Sequence, residues 1–292
     1  MIAVLDTGLK PAFKSLFTQA ADKSCKPDGE AGWNFIDDTN QTEDDNGVLH
    51  GSVVSTIVWN QAAKIQKRPV SILPVKIHNS EGRGDLFNIL CSFAYAANCG
   101  AKIINASFGF YARVKAKAPS ILEEFVKKCL EKNHVLLVAA AGNQDDTEDA
   151  LYADANSGNP RSLDDHSFFP ACLSDTCKNV LTVTTVTTAK HPAAVSPDQN
   201  FSPRFAGIGV QCDGMEPGHF YFQHPWNYGI AIYGSSYAAP AVTGLLSQYY
   251  DDLGPAGSFD AKQIILKLES LGTVLRDPQL EPFVHNGSFY KP

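Results

Sequence analysis

The segment Gly-Ser-Ser-Tyr-Ala-Ala-Pro, residues 234–240, decides how this 292-residue chain is interpreted. An apolar, β-branched run at 228–233 precedes it, and residues 238–246 have the composition of a buried helix. We therefore expect Ser236 where a loop enters a helix, with Pro240 near the helix start, where a missing N–H costs little. Because the first amides of a helix have no internal partners, a hydroxyl placed there can attack a carbonyl whose oxyanion its own N–H receives. Taken alone, the motif fits a turn that caps a packed helix equally well.

Three other segments end in the side chains that acyl transfer by serine requires. An apolar strand ends in Asp6 and a glycine turn, and a parallel sheet delivers such a side chain to its C-terminal edge. His50 stands between a polar loop and an apolar, potentially helical segment, and a buried strand is followed by Gly142 and Asn143. Each of these residues alone is typical of a turn or a cap. Together with Ser236 they supply a nucleophile, a base, an orienting carboxylate and an oxyanion donor.

The order Asp, His, Ser and the residues around each position resemble the subtilisin-like serine proteases, or subtilases, of peptidase family S8. The similarity extends over nearly the whole chain. It is carried by the Asp-Thr-Gly motif at 6–8, the His-Gly-Ser motif at 50–52, the Ala-Ala-Gly-Asn motif at 140–143 and the serine motif at 234–240.

The resemblance implies a role for each matching residue. Ser236 would attack the peptide carbonyl, His50 would take and return its proton, and Asp6 would orient His50. Asn143 would hold the oxyanion together with the Ser236 amide. An extended substrate would bind along one side of the cleft, formed by Ser107, Phe108 and Gly109. The other side would line the first specificity pocket and consists of Ala140, Ala141 and Gly142.

Some positions differ from the family pattern without removing a catalytic atom. Ser52 and Ser235 replace threonine and keep the hydroxyl. Tyr237 replaces methionine, so the packing beside the nucleophile must differ. Val53 and Thr56 replace histidine and glycine, and a β-branched threonine needs more room in the helix contact.

The alternation of apolar strands with helical stretches predicts an α/β, three-layer subtilisin-like fold, with a central mostly parallel sheet and helices on both faces. We expect one catalytic domain over residues 1–292. The predicted strands are 2–5, 72–77, 102–106, 135–139 and 180–183, and the predicted helices are 86–98, 120–132, 240–250 and 261–271.

The ends of the chain depart from the family. Only five residues precede Asp6, and the opening segment has no charged region or apolar run typical of a signal peptide. We expect no visible signal peptide or propeptide, which leaves a trimmed domain and a compact variant as alternatives. A removed propeptide or an inhibitory partner could then regulate the activity. No metal is assigned: catalysis needs no cofactor, and a structural calcium ion stays an open alternative.

The net charge is −7 without a notable cluster of Lys or Arg, which argues against nucleic acid as a partner. No apolar run is long enough to span a bilayer. The expected partner is a protein or peptide substrate. The seven cysteines lack zinc spacing and are expected to be mostly reduced, with a bridge between Cys172 and Cys177 as an alternative. The odd number favours a reducing, cytoplasmic location, whereas a trimmed mature domain would be secreted, so localisation is left open.

Acidic residues follow Asn143 and precede His50, and three explanations for them stay open. They could select Lys or Arg in the substrate, they could bind calcium weakly, or they could be solvated surface. A long loop of this kind could also act as a lid. The residues are Asp44, Asp45, Asp145, Asp146, Glu148, Asp149, Asp154, Asp164 and Asp165.

Two rival functions share the fold. A pseudoprotease that only binds peptides would be expected to have lost at least one of Asp6, His50, Asn143 and Ser236, and all four are present. A maturation enzyme that transfers the acyl group to an amine, making cyclic peptides, would keep every catalytic residue. Only its products separate it from a hydrolase.

Overall fold

A computed structural model describes most of the chain. The described residues are 1–14, 32–112, 120–155, 158–187, 194–202, 204–205, 207–212, 219–223, 229–250, 260–271, 275–276 and 284–286.

The centre of the molecule is a sheet of ten strands in the described part of the chain, in the order β13-β14-β10-β8-β6-β4-β1-β3-β2, with β9 added beside β8. All pairs along this path are parallel except β13 with β14, and β9 is also antiparallel to β8. Two separate antiparallel pairs, β5 with β7 and β11 with β12, lie outside this sheet. The strands are β1 Ile2–Asp6, β2 Trp33–Asn34, β3 Ile72–Lys76, β4 Ile103–Ala106, β5 Phe110–Tyr111, β6 Leu136–Ala140, β7 Phe168–Phe169, β8 Val180–Thr187, β9 Ala194–Val195, β10 Gly207–Gln211, β11 His219–Gln223, β12 Gly229–Tyr233, β13 Leu275–Arg276 and β14 Val284–Asn286.

Helices occupy the connections between the strands. The longest, α2 and α6, each carry a predicted catalytic residue in the first turn. A π-helix at Val126–Glu131 continues α4, and a 3-10 turn spans Ala171–Asp175. The α-helices are α1 Pro11–Lys14, α2 His50–Ile65, α3 Leu86–Asn98, α4 Ser120–Phe125, α5 Asp146–Ala155, α6 Ser235–Tyr249 and α7 Ala261–Ser270.

Alternating strand residues supply two cores, one on each face of the sheet. Ile104 and Leu137 join a cluster with Phe93 of α3. Their neighbours Ile103 and Leu136 point the other way and pack with helices α2, α6 and α7. Because a strand buried on both faces has no polar side, these strands are continuous apolar runs in the sequence. The predicted three-layer α/β arrangement is confirmed.

The predicted elements match closely, with one informative difference. Helix α3 has the predicted bounds, and the core strands shift by one or a few residues. The predicted helix 240–250 begins five residues earlier, at Ser235, so Pro240 lies inside the helix and not near its start. A proline at this position has no N–H to donate to the carbonyl of Ser236, so one hydrogen bond of the helix is missing. Because proline usually marks the first turn, the sequence placed the start of the helix too late.

The cysteines are mostly free thiols, as expected. Cys91, Cys129, Cys172, Cys177 and Cys212 are free, so the alternative of a bridge between Cys172 and Cys177 is wrong. Burial raises the pKa of the Cys172 thiol to about 12 and that of the Cys177 thiol to about 11. Cys99 is disulfide-bonded, and Cys25 lies outside the described residues.

Candidate active site

The predicted site residues meet at the carboxyl ends of the central strands. Asp6 is the last residue of β1, Ser107 directly follows β4, and Asn143 follows β6. These three strands are neighbours in the order β6-β4-β1, so their ends lie side by side. Ligand sites of open parallel sheets form at this edge.

Asp6 and His50 form a hydrogen-bonded pair. His50 Nδ1 lies 2.8 Å from Asp6 Oδ1, which also accepts from the backbone N–H of Thr7 at 2.8 Å. Burial alone would raise the pKa of Asp6, but the charge and hydrogen bond of His50 outweigh it and lower that pKa. Burial alone would lower the pKa of His50, and the charge and hydrogen bond of Asp6 outweigh it and raise that pKa. With its Nδ1 proton held by the carboxylate, His50 has Nε2 as its proton acceptor.

A second carboxylate, Asp44, fixes the elements that carry this pair. It is fully buried, and it accepts from Thr7 Oγ1 at 2.9 Å, from Ser52 N at 2.9 Å and from Ser52 Oγ at 2.7 Å. Thr7 Oγ1 in turn accepts from Gly51 N at 2.9 Å. Asp44 therefore ties the end of β1 to the first turn of α2, next to Asp6 and His50. The sequence showed Asp44 only as one acidic residue among several.

The amide of Asn143 is oriented by Ser235. Asn143 Oδ1 accepts from Ser235 N at 2.9 Å and from Ser235 Oγ at 3.1 Å, while Ser235 Oγ accepts from Gly142 N at 3.0 Å. Because Oδ1 is engaged on this side, Nδ2 remains as the donor of Asn143. Ser235, which the sequence showed only as a replacement for threonine, therefore holds the residue expected to bind the oxyanion.

Ser236 is the second residue of α6, so its N–H belongs to the first turn, where helical amides have no internal partner. The preceding Gly234 has φ of 114° and passes so close to Asn143 that a β-carbon would lie 3.1 Å from Oδ1. A glycine is needed for both reasons. In the described part of the chain, His50 is hydrogen-bonded to Asp6 and makes no hydrogen bond to Ser236 Oγ.

Tyr237 packs against the histidine. The rings of His50 and Tyr237 have centroids 5.1 Å apart at an angle of 47°. Burial raises the pKa of Tyr237 to about 12, so its hydroxyl stays neutral over the working range of a histidine base. The replacement of methionine by tyrosine thus gives His50 an aromatic neighbour.

Another histidine, His78, lies close to the pair and was not selected from the sequence. Its backbone N–H contacts the carbonyl oxygen of Asp6 at 3.3 Å, and its ring meets Phe108 edge-on, with centroids 5.1 Å apart. Burial lowers the pKa of His78, which outweighs the opposing effect of the Asp6 charge. Its position depends on the parallel pairing of β1 with β3, which no local motif reveals.

A cavity of about 390 Å³ contains these groups. It brings together nearly all of the predicted site residues, and Ala141 is the exception because its side chain is buried in the core. The predicted residues in its lining are Asp6, His50, Ser107, Phe108, Gly109, Ala140, Gly142, Asn143 and Ser236; His78, Tyr111, Asp145 and Phe168 also line it.

A polar cluster supports the Gly142–Asn143 loop from behind. Tyr111 OH donates to the carbonyl of Asn143 at 2.5 Å and accepts from Asn200 Nδ2 at 2.7 Å. Asn200 Nδ2 also donates to the carbonyl of Ala141 at 3.0 Å, and Asn200 Oδ1 accepts from Arg161 at 2.8 Å. Asn200 thereby holds the loop directly at Ala141 and, through Tyr111, at Asn143.

Most of the acidic residues with described side chains are engaged within the protein. Asp45 pairs with Lys76 at 2.5 Å, Asp149 pairs with Arg161, and Asp164 lies 3.0 Å from Arg204. Of the three explanations left open, selection of a basic substrate residue gains no support at Asp44 and Asp45, because Asp44 is buried against Ser52 and Asp45 is paired with Lys76. Among the described residues there is no group of three or more His, Cys, Asp or Glu arranged to hold a metal ion, so none is assigned.

The model of the subtilase family, Peptidase_S8, matches residues 1–267. The chain belongs to the subtilase family. This confirms the resemblance drawn from the four motifs, and the subtilases are a family of serine endopeptidases.

Curated relatives include proteases from three organisms. The chain is 37% identical over 162 residues to the cell wall-associated protease of Bacillus subtilis, a match that covers 54% of this chain and 16% of that protein. It is 24% identical over 216 residues to subtilisin-like protease 3 of Plasmodium falciparum, with 72% and 26% covered. It is 26% identical over 249 residues to thermitase of Thermoactinomyces vulgaris, with 84% and 72% covered. The chain thus spans a small part of the first two relatives.

Solved structures share the fold at low identity. A cold adapted subtilisin-like serine proteinase superposes with a TM-score of 0.58 at 19% identity, covering 90% of this chain and 78% of that one. A lanthipeptide protease gives a TM-score of 0.54 at 21% identity, with 90% and 77% covered. In the described part of the subtilase, no helix combines the length and apolar character needed to cross a membrane.

Proposed function

We propose that this subtilase is a serine endopeptidase that hydrolyses protein substrates with Asp6, His50 and Ser236, assisted by Asn143. The observation that carries the proposal is the hydrogen-bonded pair of Asp6 and His50, 2.8 Å apart, in the same cavity as Ser236 and Asn143. A histidine with a raised pKa beside a carboxylate is suited to accept a proton at neutral pH.

In the first step, His50 Nε2 removes the proton of Ser236 Oγ as this oxygen attacks the substrate carbonyl carbon. The carbonyl π electrons move to its oxygen, and Asp6 stabilises the imidazolium that forms. His50 then gives the proton to the leaving amine as the oxyanion re-forms the carbonyl and the carbon–nitrogen bond breaks, which leaves an ester on Ser236. Water attacks this ester and gives a proton to His50, His50 returns the proton to Ser236 Oγ, and the carbon–oxygen bond to Ser236 breaks to release the acid product. Since catalytic hydrogen bonds often tighten only in the substrate complex, we expect Ser236 to reach His50 when substrate is bound.

Asn143 Nδ2 and the N–H of Ser236 would stabilise the negative oxygen of the tetrahedral intermediate. The first comes from a side chain whose other end is held by Ser235, and the second from the start of α6. Donors fixed in advance need no reorganisation as charge develops, which makes them effective in a site of low polarity.

The substrate would bind as an extended strand along Ser107, Phe108 and Gly109. These residues lie between β4 and β5 and outside both strands, at the rim of the cavity. Ala140 and Gly142, which also line the cavity, would form the facing wall. Main-chain hydrogen bonds give affinity in this binding mode, and pockets give selectivity. The hydrolytic chemistry proposed here requires no metal or organic cofactor.

The test compares wild type with Ser236→Ala on a mixed peptide library, reading products by mass spectrometry, together with labelling by a fluorophosphonate. Ser270→Ala, the same change at an exposed position at the end of α7, is the matched control. We expect wild type and the control to cut and to be labelled, and Ser236→Ala to do neither. Products that carry an added water identify hydrolysis, whereas cyclic products without it would identify acyl transfer to an amine. A wild type that neither cuts nor is labelled would leave only a peptide-binding role.

A further inference from the structure

The aromatic ring of Phe168 lies at the bottom of the active-site cavity. Strand β7 (Phe168–Phe169) pairs antiparallel with β5 (Phe110–Tyr111), and Phe168 stands opposite Tyr111 in this register. The residue is 8% exposed, and it lines the cavity together with Ser236 and Asn143. The pairing of β5 with β7 therefore places a large apolar side chain under the wall that continues from Ser107 to Gly109.

Both walls of the cavity contact this ring through glycines. A β-carbon on Gly109 would lie 2.2 Å from Cε1 of Phe168, and one on Gly142 would lie 2.9 Å from its Cγ. These distances are far below van der Waals contact, so the ring fits against both glycines only because neither has a side chain. Phe168 thus fills the space between the expected substrate-binding wall and the oxyanion loop.

Neighbouring side chains hold the ring in place. Tyr111 meets Phe168 nearly edge-on, with centroids 4.8 Å apart. Tyr111 stacks on His166 at 4.1 Å, and His166 stacks on Tyr152 at 4.4 Å. Because the hydroxyl of Tyr111 also bonds to Asn143 and Asn200, this stack has little freedom to move aside. A ring packed in this way acts as a fixed floor.

We propose that Phe168 restricts the residue on the acyl side of the scissile bond to a small side chain: Gly, Ala or Ser. The proposal rests on the function proposed above. Ser236 and Asn143 bracket the carbonyl, and His50 must face the departing amine in order to protonate it. The acyl side therefore extends away from His50, between Gly109 and Gly142, where the Phe168 ring leaves no depth for a longer side chain.

The charges around the cavity argue against a basic residue at this position. The acidic residues that line the cavity are Asp6, which is committed to His50, and Asp145, which accepts from the amides of Thr147 and Glu148 at 3.0 Å. The floor itself is the apolar ring of Phe168. A Lys or Arg side chain directed into it would lose water without gaining a partner.

The experiment uses quenched-fluorescence peptides that differ only in the residue on the acyl side of the cleaved bond: Ala, Leu, Phe or Arg. They are cut by wild type, Phe168→Ala, Phe168→Leu and the matched control Phe110→Ala. Phe110 lies on β5, near Phe169 and outside the cavity lining, so its variant deletes the same side chain without opening the floor. Mass spectrometry confirms the position of each cut, and ratios of kcat/KM between peptides cancel any difference in the folded fraction.

We expect wild type to favour Ala over Leu, Phe and Arg. Phe168→Ala should raise the ratio for Leu or Phe relative to Ala by ~10-fold or more, the scale on which apolar pockets discriminate size. Phe168→Leu should shift it less in the same direction, and Phe110→Ala should leave it unchanged.

A wild type that cuts after Phe or Arg as fast as after Ala would overturn the inference, whether or not Phe168→Ala folds. So would an unchanged ratio in a folded Phe168→Ala. These outcomes differ from a failure of the proposed function, in which no peptide is cut and the fluorophosphonate does not label Ser236.

Discussion

At the scale of single residues, two buried carboxylates near the end of β1 serve His50 differently. Asp6 contacts the imidazole and sets its charge, tautomer and orientation. Asp44 has a smaller charge effect on the pKa of His50, and its hydrogen bonds go to Thr7, next to Asp6 in the chain, and to Ser52, two residues after His50. One carboxylate supports the chemistry, and the other supports the geometry in which the first can act.

Replacing Asp6 by Asn should change both the rate and its pH dependence. Burial lowers the pKa of His50, whereas the charge and hydrogen bond of Asp6, with a smaller contribution from the charge of Asp44, raise it; removing the charge of Asp6 therefore lowers this pKa. We therefore expect the acid limb of kcat/KM to move to lower pH, because His50 stays neutral further into acid. The plateau should fall by about 10⁴-fold, since an amide favours the wrong tautomer.

The measurement is a profile of kcat/KM against pH at constant ionic strength. Asp260→Asn is the matched control, because Asp260 caps α7 away from the cavity and Asn caps a helix about as well. An Asp6→Asn variant whose acid limb stays in place would show that Asp6 does not set the pKa of His50.

The sequence predicted those site residues whose role can be recognised from their immediate neighbours in the chain. Asp6, His50, Asn143 and Ser236 stand in short motifs whose neighbours are visible, so their types and order were enough to select them. Asp44 and Phe168 depend on distant segments of the chain: Asp44 bonds to Thr7, 37 positions away, and Phe168 lies against Gly109. Their roles follow from the sheet that brings these segments together, and an isolated Asp or Phe gives no local signal.

At the scale of elements, the packing of α2 against α6 sets the distance between base and nucleophile. Helix α2 begins with His50, and α6 carries Ser236 in its first turn. They approach closely at Gly244, where a β-carbon would lie 2.5 Å from the carbonyl oxygen of Val58 and 2.8 Å from Cβ of Gln61. The sequence predicted both helices, but the close contact between them required the structure.

Gly244→Ala distinguishes helix propensity from packing, because the two change the free energy of unfolding in opposite directions. Alanine is the better helix former by about 1 kcal/mol. However, the added methyl meets backbone atoms of α2 that cannot turn aside, and such overpacking costs about 1–3 kcal/mol. We expect the free energy of unfolding to fall and kcat to fall with it, as α2 and α6 move apart and His50 is displaced from Ser236.

Denaturant unfolding and kcat/KM measured on the same preparations test this expectation. Leu266→Ala, at a 47%-exposed position of α7, is a control that changes a helix without touching the contact. If Gly244→Ala is more stable than wild type, helix propensity dominates and the contact between the two helices has room to spare.

At the scale of the whole molecule, composition indicated which class of partner to exclude, but it did not show which contacts the acidic side chains make. The alternation of apolar strands with helical stretches indicated an α/β fold, and the net charge of −7 without a notable cluster of Lys or Arg argued against nucleic acid as a partner. The sequence left three uses open for the acidic residues, and the structure engages several of them with cations of the same chain: Asp45 with Lys76, Asp149 with Arg161 and Asp164 with Arg204. Such pairing depends on tertiary neighbours, which composition does not contain.

The same charge distribution leads us to expect that removal of divalent cations leaves activity and stability unchanged. Calcium needs six to eight oxygen ligands, and the carboxylates named above would have to leave their Lys or Arg partners to supply them. The measurement is kcat/KM and Tm with EDTA, and again after addition of Ca²⁺ or Mg²⁺. A site filled at 100 times its Kd would add about 2.7 kcal/mol, roughly 5–10 °C in Tm for a chain of this size. A loss of that size in EDTA that Ca²⁺ restores and Mg²⁺ does not would place a calcium site in this subtilase and contradict the expectation.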